Sequence, residues 1–400
     1  MISVEEATAR ILERLSPAGG ETVALDQAHG RVLAAPLTAR LTQPPADVSA
    51  MDGYALRAED GRQGAKLRVI GAAPAGNPFG GAVGPGEAVR LYTGSIVPAG
   101  ADTVLLQEDA GLAGAIVTVN AACAPGRHIR RAGQDFRQGD ILLPAGRRLT
   151  ARDVGLTAAG NHPFVTVFRR PKIAILATGD EISLPGEPLG PGGIVSSNAH
   201  ALAALVQACG GEALILPIAR DDRAAIAAGA DAARGVDLLV TTGGASVGDH
   251  DLVQAGLETR GFKLDFWKIA MRPGKPLMFG SVGALPLLGL PGNPVSAYVC
   301  ALLFLKPAIA KLSGLAAAPP ETGLARLSVP MKANDQRADY VRASLSRDGN
   351  AWLATPFPVQ DSGMLRTLAL ADALILRAPF APALEAGAEV PIIRLGELGL

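Results

Sequence analysis

Between residues 172 and 312 the chain repeats one pattern: a continuous apolar run, a turn rich in Gly and Asp, then a stretch of helical character. The runs at 172–177, 212–218, 236–241 and 287–290 lack the polar alternation of a half-exposed strand. Each is therefore expected to be buried on both faces. Helical stretches follow at 199–208, after Asp221-Asp222 as far as Arg234, and from Pro294 to about Leu312. Asn198 is expected to cap the first of these and Gly210 to end it, with Asn293 capping the last and Pro294 at its first position. Doubly buried strands alternating with helices predict an open parallel α/β sheet covered on both sides.

The flanks have a different texture. Ser3 with Glu6 reads as a capping box opening a helix over 3–15, whose Val4, Ala7, Ile11 and Leu15 keep helical spacing. A Pro-rich break at 41–47 leads into short strands at 67–71, 88–92, 103–107 and 116–120, separated by Gly and Pro turns, with no helix-length period among them. A small β domain is expected there. A helix at 151–159 and a strand at 164–168 precede the α/β part; residues 315–320 read as a linker, and the remainder as a second small β domain.

Composition narrows the function. Lys+Arg and Asp+Glu both number 37, and aromatics are 4%. Neither a basic surface for nucleic acid or membrane nor an aromatic stacking platform is expected. The 48 glycines and 30 prolines follow no collagen period and signal many tight turns. Cys123, Cys209 and Cys300 are odd in number and widely spaced, against a disulfide framework or zinc site. The N-terminus is acidic with no apolar core, and the longest apolar run, 295–305, stops at Lys306. A cytoplasmic location is expected.

Ligands of open α/β sheets bind beyond the carboxyl ends of the strands. Three such loops here, TGDE at 178–181, TTGGASVGD at 241–249 and LPGNP at 290–294, combine close-approach glycines with N–H and hydroxyl donors that suit phosphate oxygens. Each could also be a plain turn. Asp180, Glu181, Asp221, Asp249 and Asp251 gather hard oxygens at the same rim, as Mg²⁺ with a phosphorylated substrate requires, although Asp221 or Asp222 could instead cap a helix. Lys268, Arg272 and Lys275, in a segment stiffened by Pro and Gly, suit a polyanion; a charged strand edge is the alternative. By physics alone, Asp52-Gly53 and Thr93-Gly94-Ser95 read as turns. His250 is a rim candidate, the histidines have no metal spacing, and no Ser-His-Asp order appears.

With these residues the chain resembles the molybdopterin molybdenumtransferase family, which is related to the C-terminal domain of gephyrin. The matching blocks run in order: PADVSAMDGYA (45–55), YTGSIVPAGADTVL (92–105), RAGQDFRQGD (131–140), ATGDEI (177–182), SSN (196–198), TTGGASVGDHD (241–251), WKIAMRPGKP (267–276), GLPGNPVSA (289–297), VRASL and QDSGMLRTLALADAL. The resemblance implies an elongated homodimer with four domains per chain. These are a discontinuous N-terminal domain (1–43 and 131–170), an inserted β domain (44–130), an α/β molybdopterin-binding domain (171–314) and a C-terminal β barrel (320–400). It implies Mg²⁺-dependent insertion of molybdate into adenylylated molybdopterin, releasing AMP and molybdenum cofactor. Protein partners would be the adenylyltransferase of the preceding step and molybdoenzyme chaperones. The family's functional positions fall on Asp52, Thr93, Asp135, Glu181, Asp221, Asp251, Lys268, Arg272, Pro291, Pro294, Arg342 and Ser362. Ser95, Gly243, Gly244, Ser246, Asp249 and Lys275 neighbour them as substrate contacts, and Glu181, Asp221 and Asp251 are the metal candidates. The cleft would lie between the third domain of one subunit and the fourth of the other. Arg272 departs from the family's common Lys, so a forked donor replaces a point charge. A molybdopterin adenylyltransferase and a non-catalytic molybdopterin-binding scaffold stand as the alternatives.

Overall fold

The apolar run Lys172–Ala177 lies inside a six-stranded sheet ordered Glu212–Ile215, Lys172–Ala177, Leu238–Thr242, Leu285–Leu290, Met278–Val282 and Phe262–Trp267. The structure, a computed structural model, describes residues 1–243 and 252–396. The first four strands are parallel; Met278–Val282 runs against them, and Phe262–Trp267, antiparallel to it in turn, regains their direction, an extension the sequence pattern does not reveal. Alternate side chains of one strand serve two cores. Ile173 and Ile175 pack beneath helices Asn198–Ala208 and Pro294–Cys300, while Ala174 and Leu176 pack beneath Arg223–Ala232 and Leu252–Glu258. This two-sided burial is why the run carries no polar alternation.

The helix beginning at Pro294 continues to Leu312 through a π turn at Ala301–Leu305, directly before Pro307, which has no N–H to continue the α ladder. This 19-residue helix is long and apolar enough to cross a membrane, but 78% of its apolar window is buried inside the protein. Helix Val4–Glu13 packs its Val4, Ala7 and Ile11 into the same α/β core, not into the N-terminal β pieces. Ser3 Oγ accepts from the Glu6 N–H at 3.1 Å, but the Glu6 carboxylate turns to Arg10, so only half of the capping box forms.

In the N-terminal module, strand Gly20–Ala24 pairs with Phe164–Phe168 and Leu37–Thr38 with Ile141–Leu143, joining residues on either side of the inserted module. Helix Ala151–Ala159 carries a complete capping box. Asp153 accepts from the Thr150 N–H at 2.9 Å and from Arg147 Nη2 at 2.8 Å, while 4% exposed. The Arg147 bond outweighs burial and holds its pKa at about 2. A depressed folded pKa contributes stability above the usual carboxylate range that is lost as pH falls toward 2. Asp153→Asn is expected to speed amide exchange in this helix at neutral pH by an opening free energy of about 2 kcal/mol. The difference from wild type should close between about pH 4 and pH 2; a gap constant across that window would contradict the assignment.

The inserted module is a six-stranded sheet ordered Thr103–Leu106, Gly53–Leu56, Glu87–Leu91, Lys66–Ala73, Ile116–Val119 and Ala110–Ala113. Four of these strands match the expected runs. Gly53–Leu56 was hidden behind the turn signal of Asp52-Gly53, although all four of its residues are buried. At the C-terminus, Gly323–Leu327, Ala338–Asp348, Ala351–Pro356, Ala373–Arg377 and Glu389–Arg394 close into a barrel, because Ala338–Asp348 pairs with both Ala351–Pro356 and Ala373–Arg377. Tyr340, Leu374 and Ile393 on its outer wall join the α/β core.

Candidate active site

The parallel strands end together at Ala177, Thr242 and Leu290, and the loops beyond them enclose a cavity of about 620 Å³. Thr178, Glu181, Asp221, Gly243, Pro291 and Pro294 are among its lining residues. Asn198 ties the rim. It is not the expected helix cap: Ser197 takes that position, and Asn198 Nδ2 donates to Thr242 Oγ1 at 2.8 Å and to the Gly292 carbonyl at 2.7 Å. Two strand-end loops are thus held at fixed separation by one amide. Asn198→Ala should destabilise the domain by about 1–3 kcal/mol and raise KM more than it lowers kcat. An unchanged KM would show that the tie does not shape the site.

The carboxylates separate by role. Asp222 is the helix cap, accepting from the Ala225 N–H at 2.8 Å, which leaves Asp221 to the cavity. The Asp221 N–H is itself turned toward Asp180 Oδ1. The side chains of Glu181 and Asp221 have no hydrogen-bond or ion-pair partner among the described residues. Thr178 Oγ1 and Thr241 Oγ1 are buried beneath the rim without partners among the described residues. Gly244, Ser246, Asp249, His250 and Asp251 lie outside the described residues.

Asn293 likewise departs from its expected capping bond. Its Nδ2 donates to Ser362 Oγ at 2.8 Å, and the Val295 N–H donates to the Ser362 carbonyl at 3.0 Å. The C-terminal barrel therefore meets the α/β rim within one chain. Arg342, on the barrel wall, is 1% exposed and has no carboxylate partner among the described residues. Its backbone N–H and Nε both donate to Gln360 Oε1, and burial pulls its pKa down.

The basic segment splits. Lys268 sits at φ 73° with its Nζ 4.0 Å from the Trp267 ring centroid, and Lys275 is exposed. Arg272 is already engaged: Nη2 reaches Asp339 at 2.7 Å and Asn334 at 3.2 Å, and Nη1 reaches Asp335 at 3.3 Å. The Asp339 bond raises its pKa further. The fork that distinguishes Arg from Lys is spent on the barrel.

Asp52, Thr93, Ser95 and Asp135 stand apart from this cavity, on the inserted module and its junction. Asp52 Oδ1 accepts from the Thr93 N–H at 2.7 Å and Oγ1 at 2.9 Å, and the first of these bonds leads in lowering its pKa. Ser95 is fully buried and its Oγ accepts from the Tyr92 N–H at 3.2 Å, so it shapes the turn and presents no hydroxyl to a ligand. Asp135 is exposed, its N–H donating to the Gln43 carbonyl. Asn198 and Gln360 were missed as site-building residues; the SSN block and the QDSG block contained them without a sign of what they bond.

An open α/β domain with bare carboxylates and close-approach glycines at its strand ends, buttressed by β modules, has the architecture of a small-molecule-binding protein with its candidate site at that rim. Three family models match: MoeA N-terminal region (domain I and II) over residues 2–160, probable molybdopterin binding domain over 174–311, and MoeA C-terminal region (domain IV) over 324–395. A molybdopterin molybdenumtransferase of Nostoc sp. is 36% identical across 94% of this chain and 88% of its own length. One from Haemophilus influenzae is 38% identical across 78% of each. Two solved structures of the molybdopterin biosynthesis MoeA protein of Pyrococcus horikoshii superpose with TM-scores of 0.87 and 0.83, at 30% and 29% identity, covering 98% of this chain and 99% of theirs. The chain belongs to the MoeA family of molybdopterin molybdenumtransferases, enzymes of molybdenum cofactor biosynthesis.

Proposed function

We propose that this chain inserts molybdate into adenylylated molybdopterin, releasing AMP and the molybdenum cofactor, at the cavity bordered by Glu181 and Asp221. The observation that carries the proposal is that pair of carboxylates, both lining one strand-end cavity and both without a partner among the described residues. Mg²⁺ takes one or two carboxylates and fills its remaining positions with water and substrate phosphate oxygens. The donor set fits that habit: Glu181 and Asp221 would hold the ion, and no group of three acidic, His or Cys ligands forms a closed cage among the described residues. When bound, the ion would neutralise the phosphoanhydride and polarise its phosphorus.

The remaining roles belong to the chain. Gly179, Gly243 and Gly292 bring backbone close to the ligand, and Asn198 holds their loops apart. Lys268 and Lys275 supply positive charge for molybdate, a substrate oxyanion, while Arg272 anchors the barrel. Ser362 reaches the rim from the barrel through Asn293, and Arg342 lies buried on the barrel wall against Gln360. Asp52, Thr93 and Asp135, on the inserted module and its junction, would join the site through the homodimer. The enzyme would work in the cytoplasm, receiving substrate from the adenylyltransferase and passing cofactor to molybdoenzyme chaperones.

The test is reconstitution. Given adenylylated molybdopterin, molybdate and Mg²⁺, the purified protein should form cofactor that activates a cofactor-free molybdoenzyme. Given ATP and molybdopterin alone, it should form no adenylylated product. The reverse pattern would establish the adenylyltransferase alternative.

A further inference from the structure

The C-terminal barrel carries a second cavity, lined by cationic residues and bordered by Gln360, the residue that holds Arg342. Side chains alternate along a strand. Tyr340 and Leu374 join the α/β core, whereas Val341, Ala343, Ala373 and Ile375 fill the barrel. Asp339 and Arg377, which stand opposite each other in the ladder, share the barrel-side register; Arg342, opposite Leu374, has the other. A cavity of about 270 Å³ opens here, with Arg272, Lys332, Asp339 and Arg377 as its charged lining. Asp335 stands beside it, bonded to Arg272 and Arg337.

Arg377 is the unusual member. It is 4% exposed, and its Nη2 donates to the Lys332 carbonyl at 3.1 Å and to the Pro382 carbonyl. Its Nε is buried with no acceptor among the described residues. Asp339 faces it across the ladder but binds Arg272 at 2.7 Å. Arg377 thus forms no ion pair of its own among the described residues, since the carboxylate that faces it is paired with Arg272, and Lys332 adds a further cation to the same space. Arginine forks and lysine ammonium groups match tetrahedral oxyanions, and the cavity has room for one.

We infer that this barrel mouth is a second ligand site, which binds a phosphate-class dianion on Arg377 and Lys332. It stands independently of the proposed transfer reaction. The ligand is either free inorganic phosphate or the phosphate of a monoester, and the two sources separate by experiment.

The test is calorimetric titration of the full-length protein with inorganic phosphate and, separately, with AMP, at ionic strength matched with chloride. Wild type should bind phosphate saturably. Lys332→Gln should weaken binding about tenfold and Arg377→Gln more, since each loses a charge-assisted bond. Lys268→Gln, on the transfer site, should leave it unchanged. AMP binding with the same variant pattern, in competition with phosphate, assigns the site to a monoester; phosphate binding alone assigns it to the free ion. Should Arg377→Gln fail to fold, Arg377→Lys and Lys332→Gln carry the comparison. Lys332→Gln should keep full molybdate-dependent AMP release, so failure here is separable from failure of the proposed reaction. Phosphate affinity unchanged by the barrel variants, or lost with Lys268→Gln, or absent in wild type, would overturn the inference.

Discussion

Glu181→Gln is expected to lower kcat/KM for molybdate-dependent AMP release by about a hundredfold or more while leaving the melting temperature unchanged. The two halves of that expectation have separate causes. Glu181 is exposed at the cavity, and its carboxylate bonds to nothing among the described residues, so the fold loses no contact when the charge goes. The site, by contrast, loses one of the two bare carboxylates available to a divalent cation. The amide is nearly the same size and keeps a carbonyl oxygen, so the loss isolates charge from shape. Raising Mg²⁺ should recover part of the rate, because the damage is to affinity as well as to charge placement. Activity within a few-fold of wild type at all Mg²⁺ concentrations would remove Glu181 from the mechanism.

Gly243→Ala should damage both fold and site. Gly243 sits at φ 97°, which side-chain-bearing residues rarely adopt. An added Cβ would also stand 2.4 Å from the Thr178 carbonyl oxygen, with the Thr178 hydroxyl at 3.0 Å. Neither neighbour is the free end of a flexible chain, and Thr178 is itself a strand-end residue bonded by its N–H to the Thr242 carbonyl. Relief must separate the two loops that border the cavity. A cost of about 2–4 kcal/mol is expected from strain and overpacking together, with weakened binding of adenylylated molybdopterin. Wild-type stability and affinity in this variant would mean that the two loops have slack that the close approach denies.

The elements with redundant signals were legible in both the N-terminal module and the α/β part. Lys172–Ala177, Ala151–Ala159 and Phe164–Phe168 emerged with their expected bounds, since apolar period, caps and breakers agree there. Gly53–Leu56 was illegible because its turn-like opening residues outweighed a short buried run. The antiparallel pair Phe262–Trp267 and Met278–Val282 reads no differently from parallel strands, as strand direction leaves no mark on local composition. In the site, the glycine loops and the Glu181 and Asp221 carboxylates could be read from residue type and position. The second jobs of Asn198, Asn293 and Arg272 could not. Both asparagines sit where a cap is expected, yet their amides bond across 44 and 69 residues of chain, and Arg272 pairs with carboxylates 63 and 67 residues away. Such partners are set by tertiary packing, to which a local pattern is blind.

The most direct measurement of the central claim is AMP release from adenylylated molybdopterin by the purified protein with Mg²⁺, run with and without molybdate and repeated with Glu181→Gln. Release that requires molybdate, keeps step with cofactor formed and collapses in Glu181→Gln is the result the proposed chemistry demands. Tight binding of the adenylylated substrate without release, under conditions where another member of the family turns over, would contradict it and make the chain a molybdopterin-binding scaffold.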